Sequence, residues 1–268
     1  MQTKLLEFLG EEGQMLRGVL NLPKEKPTKS VIFLHGFERC STTEKKFKAL
    51  ADHLTEKGVA SLRLDFPGCG LSDGDFSATT ITRQGGDLLK AIPIFLRETG
   101  NEKINIVAHS LGACVLAGVI EKIKNQLEKI VLLAPALNQK ELLRYWFVTS
   151  QMKKTSATEE TTWQNYRQNL DEKAFEEDCS RTDKMTKVNY IKADYFLEGE
   201  GIDFSAMLEE YDSKILHVHG SKDVAVPPES LSFEFSNRIM VKNGDHDLEK
   251  PNHIDQWLSK AEDFLCQK

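Results

Sequence analysis

Ser110 stands in the stretch Ala108-His109-Ser110-Leu111-Gly112, between a run of the buried-strand type and a run of the helical type. A nucleophile there needs small neighbours, because a sharp strand-to-helix turn crowds the backbone around the serine. Ala108 and Gly112 are small. The turn would lift the hydroxyl clear of the sheet, while the helix N-terminus offers backbone N–H groups to developing negative charge. Serine is a poor nucleophile at neutral pH, so a histidine must take its proton and a carboxylate must hold that histidine in the right tautomer. Candidates follow in the order Ser, Asp, His. Asp223 ends Gly220-Ser221-Lys222-Asp223, straight after the apolar run Ile215–His219, and His246 ends Asn243-Gly244-Asp245-His246, straight after Arg238–Val241. Plainer readings stand beside these: Ser110 as a helix cap and Asp223 as a turn residue.

His246 competes with six other histidines. His217 and His219 alternate with apolar residues in a strand and read as packed or hydrogen-bonded. His53 and His253 sit in polar helical or pre-helical stretches and read as solvated. His109 should point away from Ser110, because adjacent side chains diverge at the turn. His35-Gly36-Phe37 follows the first core strand, where a glycine lets the backbone approach a substrate carbonyl. The N–H groups of Phe37 and Leu111 could then hold an oxyanion together. Asp65 and Ser72 lie in a glycine-rich loop and read as loop-ordering residues.

These residues need a scaffold that brings distant loops to one edge. Lys4–Leu9 and Met15–Leu22 flank a turn with Gly10 and Gly13 and read as an antiparallel hairpin. Val31–Leu34, Ala60–Leu64, Ile104–Ala108, Ile130–Ala134, Ile215–His219 and Arg238–Val241 read as strands. Between them, Phe47, Leu50, Ala51 and Leu54 mark an amphipathic helix, with Ser41 and Glu44 spaced as a capping box and a stop near Gly58. Thr80–Arg97 reads as a helix that Pro93 should kink or shorten, Leu111–Ile123 as another, and Pro251 starts the last. Alternating strands and helices predict an α/β fold with a mostly parallel sheet covered on both faces. The loops at the carboxyl ends of its strands would then meet.

The rhythm lapses from about Ala136 to Gly199, which is polar and helix-permissive, and then resumes. This predicts one core, residues 1–136 and 200–268, with an inserted helical cap at 137–199. A length of 268 residues agrees, since the usual prior of about 150 per domain gives about 1.8. Leu142, Leu143, Tyr145, Trp146 and Phe147 form an apolar and aromatic cluster in the insert, and Tyr195-Phe196-Leu197 another. They read first as docking the cap on the core, and second as a lid over an acyl pocket.

Composition narrows the partners. Thirty-five basic against 41 acidic residues give a net charge of −6, so a nucleic-acid backbone is not an expected partner. Five widely spaced cysteines without a C-x-x-C pair suit free thiols in a reducing compartment better than disulfides or zinc. Cys114, one turn beyond Ser110, reads as a core thiol. No metal-ligand spacing is evident, so neither metal nor other cofactor is expected. No apolar run approaches the roughly 18–20 residues of a membrane helix, and residues 1–13 lack signal-peptide features. The expectation is a cytoplasmic protein without a membrane span, for which a homodimer is one compatible assembly.

The stretches His35-Gly36-Phe37, Arg63-Leu64-Asp65-Phe66-Pro67-Gly68, Gly70-Leu71-Ser72-Asp73-Gly74 and His109-Ser110-Leu111-Gly112 resemble the α/β-hydrolase superfamily. They are similar to a group containing bacterial cinnamoyl and feruloyl esterases, monoglyceride lipases and serine aminopeptidase-like hydrolases. The resemblance covers about residues 15–136 and 213–266. It implies Ser110 as nucleophile, Asp223 as acid, His246 as base, the Phe37 and Leu111 amides as oxyanion donors, and a cap that sets substrate preference. Two positions depart from the pattern: Ala108 where glycine is usual, and Cys69 where histidine or arginine is common. The insert shows no match to a feruloyl esterase cap. The expected activity is a serine carboxylesterase acting on small-molecule esters with small to medium apolar or aromatic acyl groups. The alternatives are an acyl thioesterase, an aminopeptidase or amidase, or a catalytically silent binding module.

Overall fold

The structure is a computed structural model that describes residues 2–154, 161–182, 184–186 and 189–267. Strands β1 (Gln2–Leu9) and β2 (Met15–Leu22) form the expected hairpin, and β3 (Lys29–Leu34) leads to helix α1 (Lys45–Glu56). Then come β4 (Val59–Asp65), α2 (Ile81–Thr99), β5 (Ile104–His109), α3 (Leu111–Ile123) and β6 (Leu127–Leu133). The next segment holds α4 (Gln139–Lys154), α5 (Glu172–Cys179), the two-residue strands β7 (Lys184–Met185) and β8 (Tyr190–Ile191), and α6 (Ala193–Gly199). The chain closes with β9 (Ile215–Gly220), β10 (Arg238–Val241) and α7 (Pro251–Cys266).

Eight strands make one sheet in the order β1-β2-β4-β3-β5-β6-β9-β10, antiparallel around β2 and parallel from β4 to β10. The period-two side-chain alternation of a strand feeds two cores. Ile32, Leu34, Ile106, Leu132 and Ile215 pack with α2 and α3 on one face. Val31, Phe33, Val107, Val131 and Val218 pack with Phe47, Leu50 and Trp257 of α1 and α7 on the other. Both faces are therefore covered, which explains why these strands read as continuous apolar runs.

Two local expectations are corrected. Ser41 and Glu44 do not make a capping box: the Ser41 hydroxyl donates to the Phe33 carbonyl at 3.2 Å, and Glu44 at the N-cap accepts no capping bond because its carboxylate turns to Lys46. Pro93 does not shorten α2. It lies on the exposed face, and the helix continues to Thr99 before Gly100 ends it at φ 70°.

Asp87 on α2 shows how the hairpin is fastened. Its carboxylate accepts the Glu11 amide at 2.8 Å and the Gln14 side-chain amide at 3.2 Å. Burial pushes the group up to about 6, and the nearby Glu11 and Glu12 reinforce the shift. The ordinary value is 3.8, so the folded chain holds this proton more tightly than the unfolded chain. Stability on this account falls as pH rises from about 4 through about 6. Asp87→Asn keeps the acceptor oxygen and is expected to raise the urea midpoint at neutral pH while flattening that slope. An unaltered pH profile of the midpoint would count against it.

Candidate active site

The turn after β5 is built around Ser110, which has φ 53° and ψ −118°. Such a positive φ costs a non-glycine residue energy and needs surrounding structure to hold it. Here the Ser110 amide donates to Leu133 at 3.0 Å, and its carbonyl accepts the Ala113 and Ala136 amides at 3.1 and 3.2 Å. Gly112 is required by close approach: a Cβ there would fall 2.6 Å from the Leu34 carbonyl oxygen and 2.9 Å from that of His35. Ala108 has no such conflict, being a fully buried strand residue paired with Leu34 and Leu132. Its methyl group is accommodated in the core.

Asp223 and His246 reach Ser110 from the loops after β9 and β10. Those loops touch backbone to backbone, since a Cβ on Gly220 would lie 2.4 Å from the Gly244 carbonyl oxygen. His246 Nδ1 is 2.8 Å from Asp223 Oδ2, and its Nε2 is 3.0 Å from Ser110 Oγ. A carboxylate only accepts, so Nδ1–H donates to Asp223 and Nε2 is left to accept from the serine hydroxyl. Asp223 Oδ1 also takes the Ala225 and Val226 amides, both at 2.9 Å. Burial alone would raise the Asp223 carboxyl, but the adjoining His219 and His246 imidazoles outweigh it and bring the group down to about 2. The Asp223 side chain beside His246 is therefore an ionised carboxylate.

Gly36 brings the His35–Phe37 loop against the same turn: a Cβ on it would stand 3.0 Å from Ser110 Cβ. Leu111 is the first residue of α3, where amides have no partner inside the helix. His35 secures the loop, accepting the Phe66 amide on Nε2 at 3.0 Å and donating Nδ1–H to the Gly36 carbonyl at 2.8 Å. Asp65 accepts the Thr42 and Leu71 amides, and the Ser72 hydroxyl donates to the Asp65 carbonyl. Both order loops, as the sequence suggested.

Several contacts around the site had no signal in the sequence. His109 does turn from Ser110, but its Nε2–H donates to the His246 carbonyl at 3.0 Å, and the two rings lie 4.9 Å apart. Burial first, and then the Lys46 charge, hold His109 well below its ordinary value, so the imidazole is neutral. Behind it, the fully buried Lys46 sits 3.1 Å from Glu44 and 3.3 Å from Glu249. His219 lies 3.3 Å from Asp223 Oδ2. His253 is buried, contrary to the solvated reading, with Nδ1 3.4 Å from Asp245.

Ser110 opens into a cavity of about 1250 Å³ whose walls include Leu143, Tyr145, Trp146, Phe147, Tyr195 and Phe196. Tyr145 and Trp146 also donate to the carbonyls of Val224 and Ala225, so the aromatic cluster of α4 both docks the segment and faces the cavity. Phe37 joins the two layers, with its ring 4.9 Å from Tyr195 and 5.2 Å from Phe76. Glu38, at the cavity edge, accepts from Thr186 and Asn189. Cys114 is fully buried, donates to the Ala136 carbonyl and is pushed up by burial, which suits a core thiol. Among the described residues no group of three or more His, Cys, Asp or Glu is placed to hold a metal ion, and no helix is long and apolar enough to cross a membrane.

This strand order, with a sharp turn after β5 and site loops at the carboxyl ends of the strands, defines an α/β hydrolase. Residues 25–245 match the family model Hydrolase_4, described as serine aminopeptidase, S33, and the chain belongs to that family. A Mycoplasma genitalium protein that carries an esterase/lipase name is 26% identical over 226 residues, 82% of this chain and 77% of that protein. The ferulic acid-bound structure of Est1E from Butyrivibrio proteoclasticus is similar in fold, with a TM-score of 0.72 and 21% identity over 97% of this chain and 96% of that one. The α/β hydrolase GrgF from Penicillium sp. sh18 has a TM-score of 0.69 and 18% identity over 99% and 98% of the two chains.

Proposed function

We propose that the protein is a serine carboxylesterase. The observation that carries the reading is the chain Asp223–His246–Ser110, with links of 2.8 and 3.0 Å, opening into an aromatic-walled cavity. Ser110 attacks the ester carbonyl while His246 takes its proton. Asp223 holds His246 in the tautomer that can do so, and the Phe37 and Leu111 amides stabilise the oxyanion. His246 then protonates the departing alcohol. Water, deprotonated by the same imidazole, releases the acid and restores the serine.

Residues 137–199 act in this reading as a cap whose aromatic residues form the acyl wall, favouring small to medium apolar or aromatic acyl groups. The esterase/lipase name of the Mycoplasma genitalium relative agrees with an ester substrate, and the ferulic acid bound to Est1E is a carboxylic acid of the kind that ester hydrolysis releases. An aminopeptidase would need a carboxylate bared to a free amino group. Among the described residues, the cavity carboxylates besides Asp223 are Glu38, already engaged by Thr186 and Asn189, and Glu229, which is exposed to solvent. The five cysteines are all unpaired, which fits the reducing cytoplasm as the working compartment. A panel of p-nitrophenyl esters, acyl-CoAs and aminoacyl amides is expected to give the highest kcat/KM on the esters. Preference for aminoacyl amides would replace this reading with a peptidase.

A further inference from the structure

Three consecutive carbonyls of the loop that carries Asp223 each receive a side-chain donor. Tyr145 O–H donates to Val224 at 3.0 Å, Trp146 Nε1–H to Ala225 at 2.6 Å, and His219 Nε2–H to Val226 at 2.8 Å. A carbonyl only accepts, so His219 carries its proton on Nε2, and its Nδ1 accepts from His217 Nε2 at 3.0 Å. On the inner side of the same turn, Asp223 Oδ1 binds the amides of Ala225 and Val226. Surface loops ordinarily leave their carbonyls to water. Side-chain packing does little for the outer part of this turn, because Val224 is 76% exposed. The hydrogen bonds hold it, and two of the three donors come from α4, which lines the cavity.

We propose that Tyr145 and Trp146 are positioning residues for Asp223: α4 clamps the acid loop, so that the wall of the cavity and the orientation of His246 are set together. The proposal rests on the assignment of Asp223 as the acid that orients His246. Releasing the clamp lets the loop shift, and Asp223 Oδ2 shifts with it. The Nδ1–H contact that aims His246 Nε2 at Ser110 then loosens. Small displacements of this kind lower the rate of the chemical step more than they weaken substrate binding. The aromatic rings would meanwhile continue to line the cavity.

The test uses Tyr145→Phe, Trp146→Phe and the double variant, which remove the donors and keep aromatic rings. Thermal melts confirm that each is folded, and Tyr145→Phe alone suffices if Trp146→Phe is not. With p-nitrophenyl esters of graded acyl length, kcat is expected to fall about fivefold in each single variant and about 20-fold in the double. KM and the order of chain-length preference should hold. An unchanged kcat in the folded variants overturns the proposal, whether or not KM moves, because the rings would then serve only as wall. The parent and Ser110→Ala are treated in parallel with a fluorophosphonate probe. Labelling of the parent that is lost in Ser110→Ala keeps the serine reading standing independently of what the clamp variants do.

Discussion

His246→Ala is expected to lower kcat on a p-nitrophenyl ester by about 10⁴-fold or more, with a much smaller effect on KM. The size follows from geometry. His246 Nε2 lies 3.0 Å from Ser110 Oγ, and the neighbouring imidazoles are engaged elsewhere. His109 directs its Nε2–H to the His246 carbonyl, and His219 lies behind Asp223 with its proton committed to the Val226 carbonyl. Without a base the serine hydroxyl must lose its proton to water, while the proposed Phe37 and Leu111 donors and the cavity remain to supply the residual rate. Steady-state kinetics of the purified variant would decide the matter. Near-normal turnover would mean that another group serves as base.

Lys46→Met is expected to cost about 3 kcal/mol of folding stability or more. Lys46 is fully buried beside Glu44, itself only 6% exposed, and it reaches Glu249 on the loop that follows His246. Removing the ammonium leaves a buried carboxylate without its cation, and loosens α1 from the His246 loop. Burial already raises the Glu44 carboxyl, with Lys46 as the main force holding it down. Loss of Lys46 raises it further, so protonation relieves part of the damage. The deficit should therefore be smaller at pH 5 than at pH 8. Urea denaturation at both pH values checks the sign, and Lys46→Met combined with Glu44→Gln should recover much of the loss at pH 8. Equal deficits at the two pH values would contradict the argument.

The parts of the molecule legible in the sequence are those with a local signature. The sheet strands read as apolar runs because helices cover both faces, and the turn at Ser110 announces itself through Ala108 and Gly112. Asp223 and His246 could be singled out as candidates because each stands in the loop that follows a strand. What escaped has no local pattern. Lys46 is a charged residue of an amphipathic helix for which nothing local indicates a partner, yet it is fully buried and meets the half-buried Glu249, 203 residues away. Ser41 and Glu44 have capping-box spacing, but a buried ion pair outcompetes the cap for the carboxylate. His253 is polar in a polar stretch, yet it is buried, with Nδ1 3.4 Å from Asp245 next to His246. Tyr145 and Trp146 were visible as aromatic residues, while their polar heads found partners 79 residues on. Tertiary context made those choices, and periodicity does not record it.

The proposed function stands or falls with Ser110 as the nucleophile. Incubation of the folded parent and Ser110→Ala with a fluorophosphonate probe, followed by peptide mapping, addresses it directly. One covalent adduct is expected on the peptide containing Ser110 in the parent, and no labelling in Ser110→Ala. Undiminished labelling of the variant, or an adduct mapped to another residue in the parent, would contradict it.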